Sequence, residues 1–201
     1  AAIHTNEPIY LVDAPGSSQT GFYIAFPGLE AGSAATTATR AGTIALGGTF
    51  TSRLNSLLRE KRAYTYGVRA ALDQHRHGGT LVIRTRIRAD VTGPALVDLL
   101  GELDGIREGI TAEELGKAQG AFRQDIVQTL ETVADTALAY SDPHDDRLPA
   151  DTLATDLAAI GALPAESVTP AMAAYDPARA VFVLVGDVSV IRPQLEAAGF
   201  T

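Results

Sequence analysis

The feature of this sequence that most constrains its fold is a pair of extended segments joined by a short glycine-containing turn. Residues 66–74 and 80–89 flank the sequence HRHGG. Apolar residues and arginines alternate along the second segment, with Leu81, Ile83 and Ile87 on one side and Arg84, Arg86 and Arg88 on the other. Successive side chains of a β-strand point to opposite faces of a sheet. The sequence therefore predicts an antiparallel hairpin with an apolar face and a charged face.

The rest of the chain is predicted to mix strands and helices. Strands are expected at 8–12, 20–27 and 180–185, and helices at 33–46, 93–108, 151–160, 166–174 and 188–199. Ser52 is expected to cap a further helix, and the first helix to end in a left-handed cap at Gly47 and Gly48. A capping box at 111–114 predicts a long helix toward Tyr140, followed by a loop at 141–149. This order indicates an α+β fold: a single domain over 1–201, with a mainly antiparallel sheet covered by helices.

Charge and composition exclude several classes of function. The net charge of −8 argues against general nucleic-acid binding, which usually needs a basic surface. The absence of cysteine excludes disulfides and thiolate zinc sites. No apolar run approaches the roughly 20 residues of a membrane-spanning helix. The composition leaves the compartment open.

The sequence predicts no metal centre in this chain. Its four histidines are His4, His75, His77 and His144. None lies in H-E-x-x-H or in the inverse H-x-x-E-H, where helical spacing places the ligands on one face. The pair at 75 and 77 fits a surface turn better than a metal site, and the acidic segment around His144 fits a solvated loop. No nucleophile elbow or phosphate-binding loop is present either.

Arg59 and Tyr66 are the candidate catalytic residues. Arg59 falls near the end of a predicted helix and Tyr66 at the start of the next strand, so one loop could bring both side chains together. Arginine offers a permanent cation with a fork of donors, and a tyrosine hydroxyl can donate to a developing oxyanion. On spacing alone an alternative stays open, in which Arg59 simply pairs with Glu60 or Asp73.

The segment from Gly47 to Val68 closely resembles the C-terminal-domain signature of the insulinase/pitrilysin family of zinc peptidases, which includes the mitochondrial processing peptidases and many bacterial two-chain peptidases. The resembling residues are Gly47-Gly48, Phe50, Ser52 to Leu54, Leu58 to Arg62 and Tyr64 to Val68. The resemblance extends in order to 13–19, 111–117 and 183–187, and thus to nearly the whole chain.

The resemblance implies a role for this chain as the non-zinc domain of a metallopeptidase. In such enzymes a different domain carries H-x-x-E-H and binds zinc, so this chain is expected to need a zinc-binding partner domain or subunit and to be inactive alone. Arg59 and Tyr66 match the family's Arg and Tyr, which act on the peptide substrate near the scissile bond. The alternative is a non-catalytic homologue that serves as a peptide-binding or assembly module.

A separate hypothesis concerns the three arginines of the hairpin. If their face borders the substrate chamber, Arg84, Arg86 and Arg88 would bind substrate and favour acidic side chains or a C-terminal carboxylate. The alternative is that they are the solvated outer face of a strand.

Overall fold

The structure is a computed structural model that describes residues 9–200. His4 and Pro8, the latter part of the first predicted strand, lie outside these residues. The strands are β1 (Ile9–Asp13), β2 (Gln19–Gly28), β3 (Thr65–His75), β4 (Gly78–Arg88) and β5 (Val181–Gly186). They form one sheet in the order β1-β5-β2-β4-β3. Only the β1–β5 pair is parallel among the described strands, so the predicted α+β fold with a mainly antiparallel sheet is confirmed.

The predicted hairpin is present as β3 and β4, and its alternation is confirmed. Leu81, Ile83 and Ile87 are fully buried, whereas the three arginines of β4 are exposed. The pairing of β2 with β4 continues this division across the sheet, because Ile24 lies opposite Ile83 and Tyr23 opposite Arg84. β2 and β4 therefore each place one row of side chains in the core and one row toward solvent.

Within residues 9–200, the helices lie on one face of the sheet. They are α1 (Thr36–Thr43), α2 (Thr92–Glu108), α3 (Ala112–Thr129), α4 (Val133–Asp145), α5 (Thr152–Ala162), α6 (Val168–Ala173) and α7 (Val188–Ala197). A π-helical segment, Asn55–Lys61, carries Arg59 and is called the arginine helix below. The other side of the sheet, the open face, exposes Tyr10, Val12, Tyr23, Arg84, Arg86 and Val181. The predicted covering of the sheet by helices thus holds for one face.

The predicted long helix after the capping box is wrong, because the chain breaks into α3 and α4. The Thr132 hydroxyl accepts a hydrogen bond from the Asp135 backbone N–H at 3.0 Å and so starts a new helix. The predicted loop at 141–149 is also wrong in its first half, since α4 continues to Asp145 with Pro143 inside it. Within residues 9–200 no helix combines the length and the apolar composition needed to cross a bilayer.

The two predicted caps around the signature segment differ from the structure. The helix does end at the paired glycines as predicted, because the π-helical turn Ile44–Gly48 is followed by an extended Thr49, but neither glycine adopts the predicted left-handed conformation. Gly47 is needed for close approach instead: a Cβ there would lie 2.8 Å from the Cβ of Ala70 on β3. The Ser52 hydroxyl donates to the Thr49 carbonyl at 2.7 Å rather than capping the arginine helix.

Candidate functional site

The arginine helix and β3 are joined by a tight turn that returns the chain alongside the helix. Ala63 adopts a left-handed conformation, with φ of 53°. The backbone N–H of Tyr64 then donates to the carbonyl of Leu58 at 2.8 Å, and the Arg88 N–H donates to the Tyr64 carbonyl at 3.0 Å. The start of β3 is therefore fixed against both the helix it leaves and the strand it joins.

Tyr66 lies in a β-bulge at the start of β3. Thr65 pairs with Ile87 and Val68 with Thr85, so the chain advances three residues on β3 while it advances two on β4. A bulge changes the direction of the side chains at the irregularity. The Tyr66 side chain is 90% exposed, which leaves its ring and hydroxyl free to meet another molecule.

Hydrogen bonds from two threonine side chains hold the bulge in shape. The Gly67 N–H donates to the Thr65 hydroxyl at 3.1 Å, and the Thr85 hydroxyl donates to the Gly67 carbonyl at 2.8 Å. The two threonine hydroxyls also lie 3.0 Å apart. Both backbone groups of Gly67 are thus satisfied locally, and the exposed tyrosine stands on an ordered backbone.

Arg59 lies beside the bulge with its guanidinium above an aromatic ring. Its Cζ is 4.8 Å from the centroid of Phe50, a cation–π contact that uses the charge of the guanidinium and not its hydrogen-bond donors. Its Nη1 also lies 3.3 Å from a carboxylate oxygen of Glu60. Of the two partners considered from the sequence, Glu60 therefore forms an ion pair with Arg59, whereas Asp73 lies near Arg84 instead.

The structure brings Arg59 and Tyr66 to the same groove. This groove, the Arg–Tyr groove, has a volume of about 590 Å³ and is also lined by Tyr64, Thr65 and Arg88. A second groove of about 850 Å³ lies on the open face, between Tyr23, Tyr66, Arg84 and Arg86. Tyr66 lines both grooves, so it stands at the junction of the Arg–Tyr groove and the open face.

The three arginines of β4 differ in how closely a carboxylate pairs with each guanidinium. Arg88 makes two hydrogen bonds to Asp90, which raises the pKa of Arg88 and lowers the pKa of Asp90. Arg84 lies 3.9 Å from Asp73, at the limit of an ion pair. Within the described residues, no carboxylate lies within 4.0 Å of Arg86. Arg86 and Arg84 are therefore the cations most available to a ligand in the open-face groove.

The described residues do not assemble a metal site. No group of three or more His, Cys, Asp or Glu side chains within residues 9–200 lies close enough to hold a metal ion. His75 ends β3 and His77 follows it in the turn, both exposed, as the surface-turn interpretation predicts. His144 lies in α4 rather than in the predicted loop.

Two structural supports of the site were missed from the sequence. Arg53 makes a two-pronged hydrogen bond to Glu114, at 2.6 and 2.9 Å, and a third hydrogen bond to the Gly109 carbonyl. Asn55 is buried on the arginine helix. The signal for Asn55 was available: it is a carboxamide next to Leu54 on the apolar side of a helix, where an unpaired polar group is costly.

Comparisons with known proteins agree on one family. The family model described as "Peptidase M16 inactive domain" matches residues 1–122. The solved structure of a peptidase M16 inactive domain from Pseudomonas fluorescens is 26% identical with a TM-score of 0.81, covering 93% of this chain and 46% of that chain. The search of curated proteins gave no match.

Two further structures share the fold. A protease from Helicobacter pylori is 16% identical with a TM-score of 0.79, covering 89% of this chain and 43% of that chain. A putative zinc protease from Bordetella pertussis Tohama I is 16% identical with a TM-score of 0.70, covering 83% of this chain and 93% of that chain. This chain thus spans about half the length of the Pseudomonas and Helicobacter chains, at 46% and 43%.

Proposed function

Because the chain belongs to the family of M16 peptidase inactive domains, we propose that it is the substrate-binding half of a zinc metallopeptidase. The family match confirms the predicted membership in the insulinase-type peptidases as a non-zinc domain. The described residues offer no metal-binding group, so a zinc ion would have to be held by another domain or subunit. The proposal is that this chain binds the peptide and polarises its scissile carbonyl.

The observation that supports this proposal is the shared groove of Arg59 and Tyr66. The planar fork of donors on the Arg59 guanidinium suits a carbonyl or carboxylate oxygen. The Tyr66 hydroxyl is exposed at the same groove and can donate a hydrogen bond to an oxygen that gains negative charge. Donors fixed before the reaction stabilise that charge without reorganising as it forms. In this proposal Arg59 orients the carbonyl and Tyr66 stabilises the oxyanion.

The proposal is tested by reconstitution. The chain alone and a zinc domain carrying H-x-x-E-H alone are each expected to leave a fluorogenic peptide intact, and their mixture is expected to cleave it. The matched control is a mixture with the Arg59→Ala/Tyr66→Phe chain, which should bind the zinc domain and remain inactive. If the mixture with unaltered chain assembles but cleaves nothing, the alternative of a non-catalytic peptide-binding or assembly module is favoured.

We also propose that the arginines of β4 select acidic substrates. Arg84 and Arg86 border the open-face groove that contains Tyr66, so a peptide held at Tyr66 would extend past both guanidinium groups. Arg88 borders the Arg–Tyr groove, but its donors are directed to Asp90. The first two arginines should therefore contribute more to peptide selection than the third.

Substituting Arg84→Gln/Arg86→Gln in the assembled peptidase should lower the ratio of kcat/KM for acidic over neutral peptides by about 5-fold, since each solvated ion pair contributes under about 1 kcal/mol. Adding Arg88→Gln should change the ratio little further. Arg123→Gln/Arg192→Gln removes the same charge from α3 and α7 and serves as the control. An unchanged ratio in the Arg84→Gln/Arg86→Gln enzyme would contradict substrate selection by this face.

A further inference from the structure

A buried carboxamide links the helix that carries Arg59 to the strand that carries Tyr66. Asn55 lies on the arginine helix, four residues before Arg59, and only 3% of its surface is exposed. A buried amide without partners is strongly unfavourable, so its hydrogen bonds show what holds it in place. Within the described residues, the hydrogen bonds of its side chain are to Thr49, Ser52 and Val68.

The Asn55 side chain pairs with both backbone groups of a single residue on β3. Its Oδ1 accepts from the Val68 N–H at 2.8 Å, and its Nδ2 donates to the Val68 carbonyl at 2.9 Å. Nδ2 also donates to the Thr49 carbonyl at 2.8 Å. Among the described strands β3 lies at the edge of the sheet, so these backbone groups have no described strand beside them on that side. The carboxamide occupies the place that a next strand would take.

This pairing fixes the backbone directly after the bulge. Val68 lies two residues beyond Tyr66, and Gly67 between them is held by Thr65 and Thr85. The tyrosine backbone is thus fixed to β4 through Gly67 and to the arginine helix through Val68. Any shift of that helix relative to β3 would break the two Asn55–Val68 hydrogen bonds.

We propose that Asn55 is a positioning residue that sets the spacing between the Arg59 guanidinium and the Tyr66 hydroxyl. This inference rests on the proposed function, because it assigns Asn55 a part in catalysis through those two side chains. The chemistry requires asparagine: a donor and an acceptor in one plane match the N–H and carbonyl of Val68. Aspartate lacks the donors, serine is too short, and glutamine is longer by one methylene than the space between helix and strand.

The test is a double-mutant cycle in the assembled peptidase. Asn55→Ser should lower kcat by about 10- to 100-fold with little change in KM, because a misplacement of about 1 Å in a catalytic group has effects of this size. In a Tyr66→Phe background the same substitution should lower kcat less than about 2-fold, since the group it positions has lost its donor. Val168→Ala, in the buried core at α6, controls for loss of stability alone.

The outcomes separate this inference from the proposed function. If Tyr66→Phe leaves kcat unchanged, the proposed function fails. If Tyr66→Phe lowers kcat and Asn55→Ser lowers it by the same factor in both backgrounds, Asn55 acts independently of Tyr66 and the inference is overturned. Asn55→Thr, which stays uncharged and fills more of the space than serine, provides a second variant for the same cycle should the serine protein not fold.

A measurement on the chain itself tests the positioning without activity. In Asn55→Ser, the amide resonances of Gly67 and Val68 should move in a two-dimensional NMR spectrum, and hydrogen exchange at Val68 should accelerate. Val168→Ala should leave these resonances in place. Unchanged Gly67 and Val68 resonances in Asn55→Ser would overturn the inference even if the assembled enzyme were inactive.

Discussion

Replacing Tyr66 with phenylalanine is expected to lower kcat of the assembled peptidase by about 100-fold, the usual loss on removing one donor to an oxyanion. The substitution removes only the hydroxyl and keeps the exposed ring. The donor matters most after charge has developed on the carbonyl oxygen, so KM should change little. The ring is 90% exposed, so the free energy of unfolding should also be unaffected. Steady-state kinetics and thermal unfolding of the same preparation measure both expectations.

Tyr64→Phe is the matched control for this prediction. Tyr64 lines the Arg–Tyr groove two residues before Tyr66 but does not match the family's tyrosine position. Its hydroxyl should contribute little to the rate, and kcat of this variant should stay within about 2-fold of the unaltered enzyme, a change of about 0.4 kcal/mol. Equal losses in the two variants would mean that the hydroxyl of Tyr66 has no special role.

Replacing Glu114 with glutamine is expected to lower the free energy of unfolding by about 2 kcal/mol, because Arg53 would lose its anionic partner. Hydrogen bonds to charged groups contribute about 1.5–3 kcal/mol each to stability. The Glu114 carboxylate accepts two hydrogen bonds from Arg53 and one from the Thr111 N–H in the capping box of α3. These hydrogen bonds join the start of the arginine helix to α3. Chemical denaturation at neutral pH measures the loss.

The same carboxylate predicts how stability depends on pH. The Arg53 hydrogen bonds, followed by those from Thr111, lower the pKa of Glu114 from 4.5 to about 2. A lowered carboxyl pKa favours the folded state above the unfolded-state value, so this stabilisation is complete above about pH 4.5 and is lost as the pH falls toward 2. The unaltered chain should therefore lose more stability than Glu114→Gln over that range.

Glu113→Gln is the matched control for the effect of Glu114. Glu113 is the preceding residue in the same helical turn, and its carboxylate pairs with the exposed Lys117 at 2.7 Å and with no other cation of the described residues. Such a surface pair at i,i+4 contributes about 0.3–0.5 kcal/mol, so the control should be nearly as stable as the unaltered chain. The explanation would be wrong if both variants showed the same unfolding free energy and the same acid dependence.

The fold could be predicted where local pattern and chemistry agree. The alternation from Leu81 to Arg88 specified a half-buried strand, and the capping box at 111–114 specified a helix start; both are present. The break between α3 and α4 was missed because the helical pattern was taken to continue past Thr132, which caps a second helix. The close approach of Gly47 to Ala70 was missed because it is a tertiary contact, which no local pattern indicates.

The site could be predicted only in part. The resemblance singled out Arg59 and Tyr66, and the structure places both at one groove. The bulge that directs Tyr66 outward depends on the register between β3 and β4, which is set by tertiary pairing. The role of Asn55 depends on its pairing with Val68, 13 residues away. The ion pairing of the β4 arginines depends on where Asp73 and Asp90 lie.

The central claim is that Arg59 and Tyr66 stabilise the transition state of peptide hydrolysis, and inhibitor affinity tests it most directly. A phosphinic peptide resembles the tetrahedral intermediate, and the peptide of the same sequence resembles the ground state. Tyr66→Phe should weaken binding of the phosphinic peptide by the same factor, about 100-fold, by which it lowers kcat/KM, and should leave binding of the plain peptide unchanged. Equal weakening of both ligands, or of neither, would contradict the claim.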